Sequence, residues 1–378
     1  MNKLDGNQIR VGCPIGFDCY DSQGHLLLKK GLIVDSQKQV DFLLERGLYS
    51  LEGPRAAAAD RPAEKPPSPF QLLDDYNNRL KQLFVAGYAE PLRELAQEDR
   101  SFQKRLLNLA GDLQELCWSD ADALLGAVHL DSGGRYTVLH PLYRAIVCEL
   151  LAARKGLPAE DRQRIMAAAL TCDLSILKLQ DELTRQAGPL QADQQQVIRD
   201  HPIETAKLLT SLGVTDAEWT TAVVQHHELL NGKGYPYGLS NTDVSWWARI
   251  LKLGDMYTAM VSAKVYRKAV LSKTAMRDIF LKRGSEVDEE LAVFIVKELG
   301  VYPPGAFVKL QNGELAIVIH RSNNPKAPTV KAVVGPRGAP FDKPIPRKTD
   351  IREHEILDVV ERDTIVKIDL HKLWGYDT

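Results

Sequence analysis

Between His226 and Asp255 the chain reads HHELLNGKGYPYGLSNTDVSWWARILKLGD, and no other stretch constrains its fold so tightly. Two adjacent imidazoles end a helical run, a turn rich in glycine follows, and an aspartate lies on the next amphipathic helix. Gly232 and Gly234 permit positive φ and close backbone approach, and Pro236 stiffens the exit of the turn. Imidazole and carboxylate together suit divalent first-row metals. Paired histidines alone are usually surface or interface residues. Tied by such a turn to a distant aspartate, they supply the donors of a metal site facing a cavity of phosphate size.

The string resembles the signature of the HD-GYP family, bacterial metal-dependent phosphodiesterases of cyclic di-GMP. The matching residues are His226, His227, Glu228, Asn231, Gly232, Gly234, Tyr235, Pro236, Gly238, Leu239, Arg249, Ile250 and Asp255. Upstream, Asp200-His201-Pro202 is similar to the family's His-Pro step. Cys172-Asp173-Leu174-Ser175-Ile176 stands where the family has its namesake HDIGK. His140, thirty-two residues before Cys172, stands for the first histidine, and Tyr136 replaces a family glutamate.

The resemblance implies a site of one or two divalent ions (Fe, Mn or Zn). His140, Cys172, Asp173 and Asp255 would surround the first, and Asp173, the catalytic carboxylate, would bridge to a second held by His201, His226 and His227. Ions about 3.5–4 Å apart turn a bridging water into hydroxide at neutral pH, and that hydroxide would attack phosphorus in line. Gly234, Tyr235 and Pro236 would shape the substrate mouth. Lys264 and Arg267, on one helical face beyond Asp255, would clamp a phosphate of cyclic di-GMP.

Three departures bear on activity. Cys172 could ligate as thiolate or be a small buried residue. Ile176 removes the positive donor of HDIGK, and Lys178 is no stand-in, because two residues turn a helical side chain through about 200°. Tyr136 removes a ligand for a third ion. The implied function is a metal-dependent phosphodiesterase hydrolysing cyclic di-GMP, attenuated. The alternative is a non-catalytic relative that binds a cyclic dinucleotide or a partner protein and signals.

The remaining sequence sets the frame. A chain of 378 residues with 44% hydrophobic and 26% charged residues is expected to form two or three soluble domains. A net charge of −2 gives no basic field for a nucleic-acid polymer. No apolar run reaches the roughly 18 residues of a membrane span, and the start MNKLDGNQIRVG lacks a signal-peptide core. Five cysteines without a CxxC pair fit a reduced, cytoplasmic setting.

The expected architecture is mainly α. A small α/β module spans 1–53, with turns around Asp21–Gly24 and a helix over Ser36–Arg46. A Pro/Ala-rich linker follows over 54–69. Helices over 70–119 carry Leu73, Tyr76, Leu80, Leu83 and Phe84 on one face, available either for a homodimer or for packing on the next domain. A helical HD-GYP-like domain spans 120–300, with Pro189 and Pro202 near helix starts. An antiparallel β module spans 301–378, its strands at Phe307–Leu310, Leu315–His320, Val330–Val334 and Thr364–Asp369.

Overall fold

The computed structural model describes residues 2–3, 18–29, 49–50, 66–89, 101–130, 134–186, 188–262, 269–362 and 366–376. The chain divides into two compact units, 1–66 and 67–378. In the first, β1 (Asn2–Lys3), β2 (Cys19–Tyr20), β3 (Leu26–Leu28) and β4 (Tyr49–Ser50) pair antiparallel in the order β1-β4-β2-β3. Asp21 closes the β2–β3 turn, its Oδ1 accepting from the Gln23 and His25 amides, while Gly24 takes φ +88. The helix expected over Ser36–Arg46 lies outside the described residues, as does most of the linker.

The second unit begins inside the expected linker. Ser68 and Gln71 exchange backbone-to-side-chain hydrogen bonds across the first turn of α1 (Pro69–Ala89), and Pro69 takes the first helical position, where its missing N–H costs nothing. α2 (Phe102–Leu130) follows, kinked at Asp120. Then come α3 (Tyr136–Lys155), α4 (Ala159–Thr171), a 3-10 turn (Leu174–Ile176), α5 (Leu177–Leu183), α6 (Ala192–Ser211), α7 (Ala217–Gln225), α8 (Trp246–Val261), α9 (Ser272–Leu281) and α10 (Glu289–Leu299).

The apolar stripe of α1 is spent inside the molecule. Leu73, Leu80, Leu83 and Phe84 join one continuous core with Leu106, Leu109 and Leu113 of α2 and with residues as far on as Leu299. α3 runs through the middle, with Thr137 to Ala152 buried all round, and Gly156 ends it in the left-handed region. Side-chain oxygens of Asp216, Ser245 and Asp288 start α7, α8 and α10. Arg249 donates to the Val244 and Asn241 carbonyls and to Asp288, fastening α8 to the chain before it and to α10.

Strands β5 (Phe307–Leu310), β6 (Leu315–His320), β7 (Thr329–Val334), β8 (Pro340–Lys348) and β9 (Ile356–Val359) form an antiparallel sheet ordered β8-β7-β6-β5-β9. β8 holds Pro340, Pro344 and Pro346 and sits at an edge, where a strand tolerates missing donors. The strand expected over Thr364–Asp369 is not formed in its described part. Asp369 instead caps a short helix, α11 (Leu370–Trp374). Trp374 lies against Gly126 of α2, so closely that a Cβ there would meet the indole at 2.1 Å. No helix among the described residues is long and apolar enough to cross a membrane.

Candidate metal centre

Pro202 does not start a helix; it lies inside α6. Without an N–H it cannot donate to the Ile198 carbonyl four residues back. His201 takes that acceptor, with Nδ1 2.6 Å from the Ile198 oxygen. A carbonyl can only accept, so Nδ1 carries the proton and Nε2 keeps its lone pair. His226, just past the end of α7, repeats the device on the Val223 carbonyl at 2.6 Å.

The two Nε2 atoms consequently face each other at 3.3 Å, both as acceptors, beside Asp173 Oδ1 at 3.4 and 4.0 Å. Lone pairs so arranged repel unless a cation lies among them. His227 completes the group, since one ligand atom from each of His201, His226 and His227 lies within 4.8 Å of the others. Burial, then the neighbouring His201, push His226 down to about 3. Burial, then His226, hold His227 well below its usual range, so both rings stay neutral as metal ligands must. Backbone carbonyls fixing the tautomer are the outer support expected of metal-binding histidines. These four residues fit a divalent ion.

The other half of the site is built differently. Arg144, one turn beyond His140 on α3 and fully buried, places Nη1 2.7 Å from Asp173 Oδ2 and 2.8 Å from Asp255 Oδ1, while Nε donates to the Ala169 carbonyl. His140 Nε2 lies 3.0 Å from the same Asp255 oxygen. A carboxylate accepts, so this nitrogen carries the proton. Burial would raise both carboxyls. At Asp173 the Arg144 charge, and at Asp255 the His140 hydrogen bond followed by Arg144, outweigh it and hold each well below the usual range. Cys172 is fully buried, and burial pushes its thiol well above the ordinary value. Its sulfur, an Asp173 oxygen and a His226 nitrogen nonetheless lie within 4.8 Å of one another.

The segment that replaces HDIGK is not α-helical. Asp173 precedes the 3-10 turn, Ile176 ends it, and Lys178 is exposed. Ile176 lines a cavity of about 490 Å³ together with His140, Asp173, His201, His227, Tyr235 and Asp255. Tyr235 stacks on His227 with ring centroids 4.7 Å apart, and burial raises its hydroxyl, which therefore stays protonated. Gly234 and Pro236 shape the turn without lining the cavity. A Cβ on Gly234 would meet the Leu229 nitrogen at 2.3 Å, whereas Gly232 is needed for φ +74. Buried Glu228 ties the turn down by accepting from the Tyr237 and Leu239 amides at 2.7 and 3.0 Å. α8 ends at Val261 and Ser262 is extended; Lys264 and Arg267, expected on one helical face beyond Asp255, lie outside the described residues.

Sequence reasoning assembled six of these side chains and missed Arg144. The usable signal was its spacing of four residues from His140, within the apolar run HPLYRAIVCELLA.

The helical bundle and its convergent histidines and aspartates lie within the stretch that the HD domain family model matches, residues 135–291. A cyclic di-GMP phosphodiesterase of Pseudomonas aeruginosa is 25% identical over 340 residues, spanning 85% of this chain and 82% of its own length. The cyclic di-GMP phosphodiesterase response regulator of Xanthomonas campestris is 27% identical over 59% of this chain and 57% of its own. A 3'3'-cGAMP-specific phosphodiesterase of Vibrio cholerae is 26% identical over 46% of this chain and 38% of its own. Among solved structures, an HDGYP protein of Bdellovibrio bacteriovorus shares the fold with a TM-score of 0.50 and 16% identity, covering 78% of this chain and 98% of that one. Over residues 135–291 the chain is similar to HD domains, with Cys172 at the position of the namesake histidine.

Proposed function

We propose that the chain is a metal-dependent phosphodiesterase that hydrolyses a cyclic dinucleotide, cyclic di-GMP in the first instance. The observation that carries this reading is the convergence of the His201 and His226 Nε2 lone pairs, 3.3 Å apart beside Asp173, with His201 and Asp173 in the wall of a cavity of about 490 Å³. That volume falls in the range of small-molecule sites. The names of the relatives from P. aeruginosa, X. campestris and V. cholerae support the substrate class.

A divalent ion on His201, His226, His227 and Asp173 would polarise a phosphoryl oxygen and lower the pKa of a water toward 7. The protein's own groups do the rest. Ionised Asp173 accepts from the attacking water and orients it. Neutral His226 holds its Nε2 lone pair toward His201 and Asp173, and neutral His227 stands beside it. The protonated Tyr235 hydroxyl at the cavity wall is a donor for a phosphate or ribose oxygen. One P–O ester bond is replaced by a P–O bond from water, and the leaving ribose oxygen takes up a proton.

A second reading is favoured by Ile176. Among the described residues that line the cavity there is no lysine or arginine, and an apolar side chain stands where the family resemblance places an ammonium. On that reading the cavity binds the dinucleotide and the protein signals without hydrolysis. The deciding measurement is turnover of cyclic di-GMP and of 3'3'-cGAMP by metal-loaded protein, followed by chromatography, with His226→Ala as control. Loss of intact dinucleotide only with the unmodified protein supports the enzyme. Binding of either dinucleotide without loss supports the sensor.

A further inference from the structure

The two halves of the centre are not equivalent, and Arg144 is the reason. Its guanidinium joins Asp173 Oδ2 to Asp255 Oδ1 at 2.7 and 2.8 Å, while Asp173 keeps Oδ1 turned toward the histidines. We propose that Arg144 is a built-in cation standing where a second metal ion would otherwise be bridged, so that the centre takes one ion, on His201, His226, His227 and Asp173. This rests on the metal reading above and fixes its stoichiometry.

Four observations carry the assignment. First, the guanidinium is held from three sides, on the Ala169 carbonyl and on both carboxylates, with none of its side chain exposed. Second, the stem packs beside Gly254, where an added Cβ would lie 3.7 Å from Arg144 Cγ and 3.3 Å from its carbonyl oxygen, so the absence of a side chain at 254 lets α8 approach it. Third, Arg144 Nη2 is buried without a hydrogen-bond partner among the described residues. Leaving a charged donor so is costly, and here the cost is offset by the charge that Nη1 of the same guanidinium places between two carboxylates that would otherwise repel. Fourth, although ligand atoms of His140, Asp173 and Asp255 lie within 4.8 Å of one another, His140 donates its Nε2 proton to Asp255, and in that tautomer it offers no lone pair between the aspartates.

The substitution at the HD step belongs to the same arrangement. Cys172 is much smaller than the histidine it replaces and lies close enough to Arg144 for the two to interact electrostatically. A neutral thiol there leaves volume for a guanidinium and adds no positive charge against it. Arginine cannot give up its proton, so unlike a metal ion this cation can neither be removed by a chelator nor activate a water.

The test is metal content, which does not depend on turnover. The full chain is loaded with excess Mn(II), desalted and analysed for manganese per chain, and its electron paramagnetic resonance spectrum is recorded. One equivalent, with the spectrum of an isolated ion, is expected for the unmodified protein, and none for His226→Ala. The pair Arg144→Val with Cys172→His is expected to take two. Two equivalents in the unmodified protein, or the spectrum of a coupled pair, would overturn the inference while leaving the metal reading intact. No manganese at all would remove the metal reading itself. Because stoichiometry and spectrum are read on the unmodified protein, misfolding of the paired variant leaves the inference testable.

Discussion

His201 reaches the Ile198 carbonyl through Nδ1 at 2.6 Å, and it can do so because Pro202 leaves that oxygen without its helical donor. The His-Pro pair is therefore one device, in which the proline frees an acceptor and the acceptor fixes the tautomer. Pro202→Ala returns an N–H to the helix and sets it in competition with the imidazole. Metal affinity should fall by about 10–100-fold, the usual cost of losing such outer support, while thermal stability of the metal-free protein holds or rises. Titration with Mn(II) and melting curves check the two halves separately. Unchanged affinity would show that the carbonyl contact does not set the ring.

Removing the ion should destabilise the protein, because a ligand that binds only the folded state adds about 2.7 kcal/mol at a hundred times its dissociation constant. Chelated protein should melt at lower temperature, and readdition of Fe(II), Mn(II) or Zn(II) should restore it. The shift should vanish in His226→Ala. A shift that persisted in that variant would place the ion elsewhere.

What the sequence made legible was the part governed by spacing. His140, Asp173, His201, His226, His227 and Asp255 had to converge once the helices between them were recognised, and they do. What it hid was governed by volume and by chain ends. Arg144 on a helix reads as a solvated residue until α3 is seen to be buried all round, and only then does the small Cys172 acquire meaning. The prolines of β8 argue against a strand until the sheet order places it at an edge. Asp369 reads as the end of a β run until it is seen capping α11. The stripe on α1 is the same whether it faces a second copy or its own core, and here Leu80 is fully buried against the latter.

Lys264 and Arg267 remain the proposed phosphate clamp. Each charge-assisted hydrogen bond to phosphate is worth roughly 1.5–3 kcal/mol. Replacing both with alanine should weaken cyclic di-GMP binding at least tenfold by calorimetry and leave metal content unchanged. Equal affinity would move the nucleotide to another surface.

Asp122 on α2 accepts from the Arg321 amide at 3.1 Å and from its guanidinium, and lies 3.5 Å from His320 Nδ1, fastening the β sheet to the helices. Burial would raise the Asp122 carboxyl, but His320 and Arg321 bring it below its ordinary value. Its contribution is therefore full above the unfolded value of about 3.9 and lost as pH falls through the folded one. The hydrogen bond to Asp122 raises His320, so that ring's share is full below about 6.5 and fades as pH rises through its folded value. Asp122→Asn should cost about 1 kcal/mol near neutral pH, the half-exposed histidine adding little. The gap between variant and parent in melting experiments should close toward pH 3 or so, below the usual carboxylate value. A gap constant across that range would mean that the carboxylate charge does not hold the sheet.

Restoring the HD step is the most demanding test, because Cys172 and Ile176 cannot be changed alone. Ile176 lines the cavity, so Ile176→Lys delivers an ammonium where phosphate would sit. Cys172 is fully buried in the core beside Arg144, which is itself fully buried and hydrogen-bonded, so Cys172→His adds volume to a packed region. Overpacking of that kind costs about 1–3 kcal/mol. The double variant should therefore melt at lower temperature and gain little phosphodiesterase activity. Adding Arg144→Val clears the volume and removes the competing charge, and the triple variant should recover stability, take a second ion and hydrolyse cyclic di-GMP faster than the parent. A rise from a low measurable rate would mark the parent as a slow enzyme, and a rise from none would mark it as a sensor. A triple variant that binds two ions and cleaves no cyclic dinucleotide would show the substrate assignment to be wrong.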